Sequence, residues 1–207
     1  MIYIGLDMSL TSPGIVINDG GKWNFYFFVQ RKREEGIDES SDNWTIRSIP
    51  YISEWKTREE RIDYVTNNIM ILINSYMGKK SIGIENYAFG ASSSSVTGLA
   101  ELGGVMRHKL YNRKMSYTEI PPSAIKKYYT GNGHSNKTSM AIQFEAENII
   151  DLYEECNFPR RDYADIPNPI QDIVDATAIV YYLMKKIPKR INKIDSILTK
   201  MKMKEST

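Results

Sequence analysis

The feature that most constrains this chain is where its hydrophobic period changes. Residues 1–7 set Ile2, Ile4 and Leu6 against Tyr3, Gly5 and Asp7, the two-residue alternation of a strand that buries one face. Residues 8–14 carry Ser, Thr, Pro and Gly and make a tight turn. A second strand runs over 14–18, Asp19-Gly20-Gly21 signals a hairpin, and residues 22–29 form an aromatic-rich third strand. Strands joined by turns this short are antiparallel neighbours. From residue 58 the period becomes helical, with Ile62, Val65, Ile69, Leu72 and Ile73 on one face of a helix over 58–76.

Two further strands, 81–85 and 115–120, are each reached through a helix (58–76 and 94–111), so they run parallel to the first. Helices over 123–129, 137–153 and 170–186 complete the pattern. The expectation is an α/β fold with a mixed five-stranded sheet, three antiparallel strands then parallel ones, flanked by helices. Residues 30–57 read as a charged, irregular excursion from one domain over 1–187, and 188–207 as a basic tail.

Two strands end on acids, Asp7 and Glu85. If the first and fourth strands are parallel neighbours, both carboxylates emerge at the same C-terminal sheet edge, where α/β proteins place their sites. Asp172 and Asp175 lie three residues apart, on one face of the last helix. Ala176, Ile179, Val180 and Leu183 would pin that helix to the sheet. Taken singly, a strand-ending acid also serves turns, and acids near a helix start complement its dipole. Together, four carboxylates repel one another unless cations or protons occupy the cluster. Oxygen ligands without His or Cys suit Mg²⁺, with Mn²⁺ able to substitute. Two such ions about 4 Å apart form the arrangement used in phosphoryl transfer.

Composition narrows the setting. Cys156 is the only cysteine, which excludes internal disulfides and multi-cysteine zinc sites and fits a reducing cytoplasm. No basic region precedes the first strand, so no secretory leader is expected. No stretch approaches the roughly 18 apolar residues of a membrane span. Between Glu101 and Lys137 stand seven basic residues against two acidic, and between Lys185 and Thr207 eight against two. Such blocks suit either phosphate backbones or solvated helix faces. Ser12, in the turn after Asp7, either meets a backbone phosphate or serves the turn itself. Gly98, Gly103 and Gly104 weaken the helix over 94–111 by roughly 1 kcal/mol each, a cost that close approach of a second subunit's helix would explain.

The segment Gly5-Leu6-Asp7-Met8-Ser9-Leu10-Thr11-Ser12-Pro13-Gly14 resembles the first acidic motif of RuvC-type Holliday junction resolvases, with Gly14 closing the turn. Ile84-Glu85-Asn86-Tyr87 resembles the second, and Asp172-Ile173-Val174-Asp175-Ala176 the C-terminal D-x-x-D-A motif. The resemblance runs over about residues 2–186 and implies an RNase H-like (retroviral integrase) fold. It assigns Asp7, Glu85, Asp172 and Asp175 to catalysis and metal binding. Lys126 and Lys137, eleven residues apart, resemble the lysines that contact the scissile DNA. Tyr87 or Phe89 corresponds to the aromatic pressed against bases at the crossover, and the small-residue helix to the homodimer contact.

The implied function is a magnesium-dependent endonuclease that resolves four-way or otherwise branched DNA with two metal ions, leaving 5′ phosphate and 3′ hydroxyl. Its place is the cytoplasm, or wherever a phage or viral genome is processed. A broader fork, flap or single-strand nuclease of the same fold, or a non-catalytic junction-binding protein, are the alternatives.

Overall fold

The computed structural model describes residues 1–9, 12–28, 36–50, 55–86, 93–159 and 166–185. The first three strands, β1 (Ile2–Asp7), β2 (Gly14–Asp19) and β3 (Lys22–Phe28), form the expected antiparallel meander. Helix α1 (Arg58–Ser75) opens on Thr57, whose hydroxyl accepts the Glu60 amide proton at 3.2 Å, a standard way to satisfy a free helix-end donor. It leads to β6 (Lys80–Glu85), parallel to β1, and α2 (Ser93–Asn112) leads to β7 (Tyr117–Ile120), parallel to β6. Then follow α3 (Pro122–Thr130), α4 (Lys137–Glu147), α5 (Leu152–Glu155) and α6 (Ile170–Met184).

Among the described residues the sheet has seven strands, not five. Strands β4 (Asp38–Ser40) and β5 (Trp44–Ile49) extend it beyond β3 in the order β4-β5-β3-β2-β1-β6-β7. They lie in the segment expected to be irregular. Their outer positions are charged, with Arg47 paired to Asp38 at 2.6 Å, and only Ile46 and Ile49 of β5 are buried apolar residues. Strands with so little apolar content leave a weak alternation in the sequence, and charge on the edge strand β4 discourages pairing with other chains. The helix expected over 137–153 also stops early. Asn148 takes the left-handed conformation at φ 52°, and Asp151 starts the short α5 by accepting the Tyr153 and Glu154 amide protons.

Each face of the sheet covers a separate core. Ile4, Leu6, Ile15, Ile17, Ile82 and Ile84 pack with the apolar stripes of α1 and α2. Val16, Phe25 and Phe27 pack on the opposite side with Ile173, Ala176 and Ile179 of α6 and with residues of α3 and α4. Helix α6 lies unusually close to the strands. A side-chain carbon on Gly5 would stand 2.2 Å from the Ala176 carbonyl oxygen, and one on Gly14 would stand 2.2 Å from that of Asp172. On Gly83 it would stand 2.6 Å from Ile179 Cγ2. Gly14 closes the turn and opens β2 as expected, and what requires glycine there is the backbone of α6.

Candidate active site

The pleat and the register place the acids. In β1 the residues facing α1 and α2 are Ile2, Ile4 and Leu6, so Gly5 and Asp7 face α6 by strand alternation. In β6 Ile82 and Ile84 face α1 and α2, which turns Gly83 and Glu85 toward α6. Leu6 is paired with Ile84 in the parallel ladder, so the next residue of each strand, Asp7 and Glu85, sits at the same C-terminal edge. Asp7 is paired on its other side with Gly14, where the Asp172 backbone approaches. The glycines thus let the first turns of α6 settle over the strand ends, carrying Asp172 and Asp175 to the two strand acids.

The electrostatics of the four groups are those of one cluster. Burial, then the charges of Asp175, Glu85 and Asp172, hold Asp7 well above the usual carboxylate range, with Lys137 opposing. Burial and the Asp175 charge push Glu85 up to about 7 against the pull of Lys126. Asp172 is raised to about 6 by burial, offset by a hydrogen bond from Ser12, with Asp175 raising it and Lys137 lowering it. Asp175 is raised by burial and drawn back by a hydrogen bond from Gln171 and by Lys126 and Lys137. Both lysines singled out in the sequence therefore lie within electrostatic reach of the acids, Lys126 from α3 and Lys137 from the first turn of α4, which the Asn136 side chain caps.

The carboxylates suit a hard divalent cation in number and donor type. Among the described residues, no three Asp, Glu, His or Cys side chains are already gathered as ligands of one ion. Two of the acids instead point at protein donors. The Ser12 hydroxyl donates to Asp172 Oδ2, and the Gln171 amide donates to Asp175 Oδ2 at 2.9 Å. Ser12 is fully buried, which corrects the expectation that it could meet a DNA phosphate: its hydroxyl serves Asp172. Gln171 was missed altogether, although an amide among Ile170, Ile173 and Val174, four residues before Asp175, was visible as a polar break in an apolar stripe.

The remaining expected groups divide. Tyr87 and Phe89 lie outside the described residues, as does the tail after Pro188. Part of the basic block is spent inside the molecule, since Lys109 pairs with Asp63 at 2.7 Å and Arg107 with Glu119 at 3.4 Å. In α2, Gly98 and Gly103 are buried, whereas Gly104 is exposed with open space where a side chain would stand. Cys156 is buried, its thiol pushed up to about 12 by burial first and by Glu155 second, so it has no nucleophilic character at neutral pH.

Residues 45–180 match the family model of crossover junction endodeoxyribonuclease RuvC. The chain belongs to the RuvC family. The matched span includes Glu85, Asp172 and Asp175; Asp7 precedes it. Among curated RuvC proteins, that of Helicobacter hepaticus is 32% identical over 120 residues, covering 58% of this chain and 53% of the relative. That of Prochlorococcus marinus is 31% identical over 85 residues, covering 41% and 54%. The chain thus spans about half the length of these relatives. The RuvC fold is also found by shape. Thermus thermophilus RuvC in complex with Holliday junction substrate superposes with a TM-score of 0.55 at 13% identity, covering 91% of this chain and 98% of that one. A second structure of Thermus thermophilus RuvC gives 0.52 at 12%, covering 92% and 100%. The RNase H-like α/β fold implied by the sequence is therefore present, with two more strands than expected.

Proposed function

We propose that this chain is a divalent-metal-dependent endodeoxyribonuclease that cuts four-way or otherwise branched DNA, with Asp7, Glu85, Asp172 and Asp175 holding two Mg²⁺ ions that Mn²⁺ can replace. The observation that carries this reading is the convergence of four carboxylates, Asp172 buried and Asp7, Glu85 and Asp175 half-buried, from β1, β6 and α6 at one sheet edge in a chain of the RuvC family. No helix among the described residues is long and apolar enough to cross a membrane, in keeping with action on DNA in the cytoplasm or wherever a phage or viral genome is processed.

Bound magnesium supplies the Lewis acidity that makes water an effective nucleophile and stabilises the departing 3′ oxygen, which leaves 5′ phosphate on the product. The chain's own part is to place the acids rigidly, through strand ends and a helix seated on glycines. Lys126 and Lys137 add positive charge on the same side, where a phosphate backbone entering the site would be attracted. A homodimer, joined across α2 near the exposed Gly104, would present two such sites to symmetrically placed strands. Labelled four-way junctions, forks, flaps and linear duplex, incubated with and without Mg²⁺, test the reading. Four-way junctions should be nicked only with metal, and at least about a hundredfold faster than linear duplex, the equivalent of roughly 3 kcal/mol in discrimination. Equal cutting of linear duplex would reject junction selectivity, and binding without any cutting would reject catalysis.

The raised carboxyl groups also give a stability signature. Without metal, the folded chain retains protons on these groups that the unfolded chain has released. Their stabilising contribution is therefore complete below the ordinary carboxylate pKa of about 4. It is lost as pH rises past about 6 and about 7, where Asp172 and Glu85 ionise. Magnesium binds the ionised forms and restores what was lost. Thermal unfolding should show a midpoint that falls from about pH 5.5 to about pH 8 in chelator, and a rise of several degrees on adding Mg²⁺ at the higher pH only. An Mg²⁺ effect equal at both pH values would mean that the ion binds elsewhere.

A further inference from the structure

Gln171 is a costly residue in its place. It is 2% exposed, in the first turn of α6 between buried Ile170 and the buried pair Ile173 and Val174. Its Nε2 donates to Asp175 Oδ2 at 2.9 Å, while its Oε1 is buried without a hydrogen-bond partner among the described residues. A buried amide oxygen left unpaired destabilises a fold by roughly 1–3 kcal/mol. Methionine, of nearly the same length and shape, would fill the position without that cost. The core therefore gains nothing from an amide here, and the one contact that requires it is the one to Asp175.

That contact occupies a single oxygen of the Asp175 carboxylate and fixes its orientation one helical turn away. Asp172, at the neighbouring corner of the cluster, is gripped in the same manner by Ser12 through its Oδ2. Carboxylate ligands of metal ions are commonly oriented by such outer hydrogen bonds, and losing one typically weakens metal affinity by about 10–100-fold. We propose that Gln171 is a positioning residue of the metal site, holding one oxygen of Asp175 so that the other is presented to a divalent cation. The proposal rests on the metal-dependent reading given above and deepens it.

The test uses the full chain and a readout independent of cleavage. Mn²⁺ is titrated into the wild type, Gln171→Met and Gln171→Asn, with free Mn²⁺ followed by electron paramagnetic resonance and folding checked by thermal unfolding in chelator. Methionine keeps the volume and removes the donor; asparagine keeps an amide but falls one methylene short of Asp175. Both variants should fold and bind Mn²⁺ roughly tenfold more weakly or worse. The metal concentration for half-maximal cleavage should rise in step while KM for a four-way junction stays unchanged. A merely structural role would shift the unfolding midpoint and leave the Mn²⁺ affinity of the folded protein in place. Should the methionine variant not fold, the asparagine variant decides. Mn²⁺ affinity within twofold of a wild type that binds would overturn the positioning role and leave the nuclease reading standing. A wild type that binds no Mn²⁺ would overturn both.

Discussion

Replacing Asp7 with Asn should lower cleavage of a four-way junction by about three orders of magnitude or more, equivalent to roughly 4 kcal/mol of transition-state stabilisation, while leaving junction binding within a few-fold. Asp7 is the acid most affected by the others, with the charges of Asp175, Glu85 and Asp172 all acting on it. It is the one with a cluster member on each side, with Glu85 beyond the β1–β6 ladder and Asp172 above Gly14. An asparagine there keeps the shape and one oxygen but removes the charge that attracts a cation. The same change should raise the unfolding midpoint in chelator above pH 7, because it deletes a half-buried charge repelled by its neighbours. Single-turnover cleavage, gel-shift binding in chelator and a thermal scan measure the three effects. Unchanged cleavage would remove Asp7 from the machinery; lost binding alongside lost cleavage would point to misfolding.

The second large effect is expected at Gly5. A methyl group there would stand 2.2 Å from the Ala176 carbonyl oxygen, and neither partner is the movable end of a flexible side chain. Gly5→Ala should therefore force α6 off the sheet and destabilise the chain by about 3 kcal/mol or more, at the upper end of overpacking costs. Whatever folded protein remains should bind divalent ions poorly, because Asp172 and Asp175 ride on the displaced helix. Gly104 provides the contrast. It is helical with nothing within 4 Å of the added carbon, so Gly104→Ala should stabilise the helix by up to about 1 kcal/mol. Chemical denaturation of both variants checks the opposite signs. A Gly5→Ala protein as stable as wild type would mean that α6 does not bear on β1 as described.

The four acids were legible in the sequence because each is tied to a local signal that survives without knowledge of the fold. Asp7 and Glu85 end apolar alternations, and Asp172 and Asp175 share a face of a strongly apolar helix. Strands β1 and β6 were found for the same reason: Ile2, Ile4 and Leu6, and Ile82 and Ile84, are buried on one face. Strands β4 and β5 were not, because the edge strand β4 is wholly exposed and Trp44–Ile49 is held by backbone pairing to β4 and β3 and buries only Ile46 and Ile49 among its apolar residues. The break at Asn148 went unread because Ile149, Ile150 and Leu152 continue an apolar spacing that the left-handed residue interrupts.

The roles of Ser12 and Gln171 are non-local in a stricter sense. Ser12 meets an acid 160 residues away, so its turn sequence could suggest only a turn or a phosphate. Gln171 looked like an interruption in a buried stripe until the position of Asp175 gave the amide a partner. The glycines were visible as a motif, but their reason was not. Gly5 and Gly14 are dictated by the carbonyl oxygens of a helix that begins more than 150 residues later in the chain.

The most direct test is a crystal of the chain grown or soaked with Mn²⁺, with anomalous scattering used to locate the ions. The expected result is Mn²⁺ density within ligand distance of Asp7 and at least one of Glu85, Asp172 and Asp175, with the Asp7 and Asp175 carboxylates close enough to share the site. Mn²⁺ bound elsewhere, or those two carboxylates more than about 10 Å apart, would contradict it, because ions about 4 Å from each other could not then be held by both.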